Sequence, residues 1–261
     1  MNKLKPLPEE WSGLLNNEQK EAIENINGPL LIIAGAGSGK TRVLTYRYAH
    51  LIKTYGINFE NVLAITFTNK AANEMKDRIS DLLNLELSPK WISTFHSLCV
   101  KMLRIHGHLI GFNNNFTIYD QSDSTKLVRN CMRDSDIDTK QYSPKRIQAH
   151  ISSLKNQRIL PGEAVEFAQS FFDVKVAEIY SSYQKKLMLA NSMDFDDLLI
   201  KAVELLETSD KSLNYWSSKF QYIMIDEYQD TNMVQYRLVE LLASKHKNIC
   251  VVGDSDQSIY A

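Results

Sequence analysis

A chain of 261 residues, 44% hydrophobic and 23% charged, is long enough for one large core or two modest ones. Its net charge of −1 excludes a global basic field, so any nucleic-acid site must be local. Cys99, Cys131 and Cys250 lack C-x-x-C spacing, residues 1–11 lack a signal-peptide core, and no apolar run approaches the ~20 residues of a membrane span. These features point to free thiols in a cytoplasmic protein and away from a disulfide or metal framework.

Residues 1–13 read as a loosely structured arm. Asn16 or Asn17 caps a short helix, Glu18 to Asn25, which Gly28-Pro29 ends. The apolar strand Leu30 to Ala34 leads into Gly35-Ala36-Gly37-Ser38-Gly39-Lys40-Thr41 and a helix to Tyr55. A second buried strand spans Asn61 to Phe67, followed by a helix from Asn69 to Leu83. Trp91 to Thr94 is a short strand and Ser97 to His108 a helix. Strands alternating with helices imply a parallel sheet with helical crossovers. From Gly111 the rhythm changes. After a short strand at 116–119, the pattern predicts only helices, at 122–134, 143–157, 161–169 and 174–190. Helices at 194–206 and 209–219 then lead back to a strand at 221–225, a helix at 232–244 and a last strand at 249–252. The chain reads as residues 1–110 and 194–261 of one α/β domain with a helical insertion at 111–193. Stopping just after a buried strand suggests a piece of a longer protein.

The chemistry begins at the glycine loop. Glycines let backbone N–H groups turn toward phosphate oxygens, and the following helix N-terminus favours the same anion. Ala36, Gly37, Ser38 and Gly39 would cradle phosphate, Lys40 would reach the β and γ phosphates, and Thr41 would ligate Mg2+. The generic pattern asks for Gly where Ala34 stands. The strand ending in Asp226-Glu227 supplies the second half: Asp226 to hold Mg2+, Glu227 to polarise an attacking water. Gln257, after the last strand, suits a γ-phosphate contact and equally suits a polar loop. The Gln19 amide suits an adenine edge, yet reads alone as a surface residue. Phe67 and Tyr260 read alone as core, His96 as structural, and His106 and His108 as surface histidines. Asp194, Asp196 and Asp197 read as acids opening a helix, not as a metal site.

Seven stretches occur in order: Leu15 to Gln19, Ala34 to Thr41, Thr66 to Ala72, Thr94 to Ser97, Asp194 to Leu198, Asp226 to Asp230, and Gly253 to Tyr260. Together they resemble the superfamily 1 DNA helicases of the UvrD/Rep/PcrA type, whose loop usually carries Ala at the Ala34 position. The resemblance implies a RecA-like P-loop domain with an inserted helical subdomain, and ATP with Mg2+ as cofactors. It implies that Gln19 and Arg42 meet adenine, Lys40 and Thr41 take phosphate and metal, and Asp226 holds the metal. Glu227 would be the general base and Gln257 the γ-phosphate sensor. Phe67 and Tyr260 would meet bases of single-stranded DNA, with Thr68, Asn69 and Thr94 on its backbone and His96 near the strand. It further implies 3′-to-5′ movement on single-stranded DNA and at duplex junctions, repair or replication partners, and a second RecA-like domain that closes the ATP site. A helicase–nuclease subunit of the AddA or RecB kind shares these motifs. A nucleotide-gated interaction fragment without motor action is the alternative from another class.

Overall fold

The computed structural model describes residues 4–254 apart from Ala36, Leu87 and Ser88. The elements run α1 (Glu9–Ser12), α2 (Asn17–Glu24), β1 (Leu30–Ile33), α3 (Lys40–Lys53), β2 (Val62–Thr66), α4 (Asn69–Leu83), β3 (Ile92–Thr94) and α5 (Phe95–His106). They continue β4 (Thr117–Tyr119), α6 (Gln121–Asp134), α7 (Pro144–Asn156), α8 (Phe171–Leu189), β5 (Ser192–Asp194), α9 (Phe195–Thr208) and α10 (Asp210–Lys219). The last three are β6 (Tyr222–Ile225), α11 (Met233–Ala243) and β7 (Ile249–Gly253). Side-chain oxygens start many of the helices. Asn16, Thr68, Asp120, Ser170 and Asp194 each accept a bond from a first-turn N–H, which satisfies a donor that the helix leaves unpaired.

The chain divides into two compact units. The first comprises Met1–Leu98, Asp210–Thr231 and Val239–Ala261, the second Cys99–Ser209 and Asn232–Leu238. The second unit therefore takes in more than the 111–193 insertion expected from sequence. The reason is packing: α9 lies against β5 and α7, both of the second unit.

In the first unit a five-stranded sheet has the order β1-β7-β6-β2-β3. Every pairing is parallel. This is the α/β architecture expected from the alternating pattern. Leu44, Tyr48, Leu63, Met75, Ile79, Met224 and Val252 are buried in it. Ile33 pairs with Gly253, Ile225 with Val251, Ile65 with Ile225, and Thr66 with Thr94. The residues that follow these strands thus emerge along one edge, the crevice side of an open α/β sheet. β1 is an edge strand, and Leu31 and Ile33 stand 59% and 63% exposed on one of its faces. Its apolar sequence does not bring burial on both sides.

In the second unit, α6, α7 and α8 enclose a core of Val128, Cys131, Ile147, Ile151, Val176, Tyr180 and Leu187. Here β4 pairs in parallel with β5, a strand unforeseen from sequence.

Two expectations are corrected. The arm is not loose: Leu7, Trp11 and Leu15, spaced four apart, are buried with Ile23, Val43, Tyr46 and Ala49. Residues 161–167 form turns, not a helix. Their bonds include Glu163 N to Leu160 O and Glu166 N to Glu163 O, the three-residue span of tight turns. Gly162 interrupts the pattern. Helix α8 then starts at Phe171, three residues before the expected start, because Ser170 caps it.

Candidate functional site: a phosphate loop facing a buried carboxylate

The loop after β1 needs its glycines. Gly37 and Gly39 adopt φ of 76° and 88°, a region where a Cβ is strained. Gly39 is also the residue before α3. A Cβ there would stand 3.0 Å from the Gln19 Nε2, so glycine leaves room for Gln19 to approach. Gln19 Nε2 donates to Ser38 O at 3.1 Å, while its Oε1 accepts from Asn16 N. The capping box of α2 thus orients a side chain that reaches the phosphate loop.

Lys40 and Thr41 open α3. Lys40 Nζ donates to Ala34 O and to Asp254 Oδ2, each at 3.0 Å. Thr41 Oγ1 donates to Asp226 Oδ2 at 2.9 Å. β6 delivers Asp226 to this point, where it is buried. Burial pushes the Asp226 carboxyl above its usual range, against the Thr41 hydrogen bond, and the Glu227 charge adds to the rise. A buried carboxylate in contact with a hydroxyl is an all-oxygen donor pair, which fits a hard divalent cation. Among the described residues no group of three or more His, Cys, Asp or Glu could hold a metal. A cation here would therefore draw its remaining ligands from phosphate and water.

Glu227 follows in the left-handed conformation, φ 50° and ψ 47°. Its N–H donates to Asp226 Oδ1 at 3.1 Å, and its Oε2 accepts from Gln229 Nε2 at 2.7 Å. Arg42, on the exposed side of α3, lies over the Tyr46 ring at 5.6 Å. It borders a cleft of about 400 Å³ shared with Thr45, Tyr46, Arg78, Asp81 and Leu82.

Farther along the same edge, Phe67 follows β2 half-buried, its ring edge-on to Phe95 at 5.7 Å. Thr68 and Asn69 are exposed. Thr68 Oγ1 caps α4 by accepting from Ala71 N at 3.1 Å. Thr94 is buried, and its Oγ1 donates to Ser97 Oγ at 3.0 Å. His96 is half-buried beside it. Ala36, Gln257 and Tyr260 lie outside the described residues.

The acid cluster at the start of α9 holds more than a helix opening. Asp194 and Asp197 form a capping box, and both are buried. Lys155 of α7, 0% exposed, bonds Asp194 Oδ2 and Asp197 Oδ1, each at 2.7 Å. Tyr183 O–H donates to Asp194 at 2.8 Å. These acids belong to a buried ion-pair network, which reading the helix start alone missed. The neighbouring Phe195 is 52% exposed.

Fold and site together define a RecA-like α/β domain of the P-loop class: a parallel sheet, a glycine loop on its first strand, and a carboxylate from a strand two places away. The family described as the UvrD/REP helicase N-terminal domain matches residues 15–261, and the chain belongs to it. It is similar to the ATP-dependent DNA helicase PcrA of Staphylococcus aureus, at 50% identity over 94% of this chain and 34% of that protein. The protein of the same description in Staphylococcus epidermidis is 49% identical over the same shares. The chain spans about a third of the length of these curated relatives.

Proposed function

We propose that the chain is the ATP-binding motor portion of an ATP-dependent DNA helicase that moves 3′-to-5′ on single-stranded DNA. The observation that carries this reading is the contact of Thr41 with buried Asp226, with Lys40 one residue away. Gly37, Ser38, Gly39 and Lys40 hold the ATP phosphates, with Gln19 and Arg42 on the adenine side. Thr41 and Asp226 would hold Mg2+, which would supply positive charge against the phosphates. Glu227 accepts a proton from the attacking water, and Gln257 senses the γ-phosphate. Phe67, on the same sheet edge, takes bases, and the resemblance assigns Tyr260 the same role. Stacking on aromatics is worth about 1–3 kcal/mol per base and ignores sequence, which suits movement along any strand. Thr68, Asn69, Thr94 and His96 line the strand's path. DNA repair or replication in the cytoplasm is the setting that we propose for this activity. Among the described residues no helix is long and apolar enough to cross a membrane.

Glu227→Gln tests the reading in the full-length gene product. It retains ATP binding and loses hydrolysis by about 10²–10⁴-fold, the usual contribution of a general base. Unchanged hydrolysis would move the base elsewhere.

A further inference from the structure

Gln229 stands two residues beyond the proposed base and belongs to none of the roles assigned above. Its amide is used at both ends. Nε2 donates to Glu227 Oε2 at 2.7 Å, and Oε1 accepts from Asp254 N at 3.0 Å. The orientation of the amide is chemically fixed, because a carboxylate only accepts and a backbone N–H only donates. The end of β7 makes room for it. A Cβ on Gly253 would stand 3.1 Å from Gln229 Oε1, so glycine is what lets this amide lie against the strand. Asp254 in turn pairs with Lys40 at 3.0 Å. A continuous chain of contacts therefore runs from the phosphate-loop lysine, through Asp254 and Gln229, to the Glu227 carboxylate.

We propose that Gln229 is a positioning residue for ATP hydrolysis: it fixes the Glu227 carboxylate and ties it to the end of β7 beside Lys40. The inference rests on the reading of Glu227 as the base. A glutamate side chain has three rotatable bonds, and a base must meet its water within hydrogen-bond reach. One amide bond to Oε2 removes most of that freedom. The tie to Asp254 sets the amide itself, and links it to a residue that nucleotide phosphates would compete with for Lys40.

Steady-state ATP hydrolysis by the full-length gene product, with single-stranded DNA present, tests this. Gln229→Ala lowers kcat by ~10–100-fold, since a displacement near 1 Å costs on the order of 10²-fold. The KM for ATP stays within about twofold and the thermal midpoint is unchanged, because binding does not pass through Glu227. Gln229→Glu keeps the acceptor for Asp254 N and loses the donor to Glu227, so it is as defective as Gln229→Ala. A normal kcat in either variant overturns the proposal. So does a parallel fall of kcat, affinity and thermal midpoint, which marks a scaffold role. Glu227→Gln in the same assay separates the two failures. If it hydrolyses normally, the reading of the base has failed; if it is inactive while Gln229→Ala is active, only the positioning role has.

Discussion

Glu227 holds a backbone conformation, φ 50°, that few side chains adopt without help. The left-handed region costs a residue with a Cβ about 1–2 kcal/mol. Here it is held by the Glu227 N–H on Asp226 and by the turn through Tyr228–Asp230. Such strain concentrates where a side chain must be aimed. Gly39 shows the opposite solution, because at φ 88° the chain simply omits the Cβ. Gly39→Ala therefore destabilises the first unit by about 1–2 kcal/mol. It also pushes Gln19 off Ser38, and ATP binding measured by calorimetry weakens about 10-fold, or ~1.4 kcal/mol. Wild-type affinity in that variant would show that the loop tolerates a Cβ and that Gln19 is dispensable. At this scale the glycines, Lys40, Thr41 and Asp226 were legible as candidates, because glycines beside a lysine and an acid at a strand end are local signals; Gln19 and Phe67 drew their expected roles only from the resemblance. Gln229 was not legible, since its meaning depends on Asp254, 25 residues away.

At the scale of elements, α7, α8 and α9 meet on one buried lysine. Burial works against the Lys155 charge, but two carboxylates outweigh it and the ammonium stays protonated. One lysine serves two acids unequally. Burial pushes the Asp197 carboxyl up to about 6, while for Asp194 the bonds from Lys155 win and hold it below the usual range. Replacing Lys155 strands both acids without a cation. Lys155→Met destabilises the second unit by about 3–5 kcal/mol at pH 7.5 in urea unfolding. A carboxyl whose folded pKa lies above its unfolded value favours folding at low pH, and that contribution fades as pH rises through the folded value. In the variant both acids are of this kind, so its deficit against wild type shrinks between pH 7.5 and pH 5. A deficit that is constant across this range would mean that the two acids find other partners. The helix-opening role of Asp194 and Asp197 was readable from their spacing of three. The partnership with Lys155 was not, because Lys155 precedes the two acids by 39 and 42 residues; its spacing from Ile147 and Ile151 puts it on the buried face of α7, but only the acids explain how a charge can stand there.

The first of the two units is built on a parallel sheet with the proposed ATP site along its strand ends, in a chain that spans about a third of the length of these relatives. We infer that the arginines completing such a site come from a second RecA-like domain. An arginine finger is worth on the order of 10³–10⁵ in rate. The 261 residues alone should bind ATP weakly, hydrolyse it very slowly and unwind nothing. DNA-stimulated turnover at the full-length rate, measured by phosphate release, would refute this. By itself the sequence determined the α/β class, the strand that carries the phosphate loop and the strand that carries Asp226-Glu227. Those signals are local: apolar runs of strand length, glycines at forced turns, acids where an apolar run stops. Only the tertiary structure decided that β7 lies between β1 and β6, and that Leu7 and Trp11 anchor the arm. It also decided that residues 161–167 stay as turns and that Lys155 and Gln229 bridge distant segments. These depend on which surfaces meet, and burial energy belongs to pairs of surfaces that no single stretch of sequence contains.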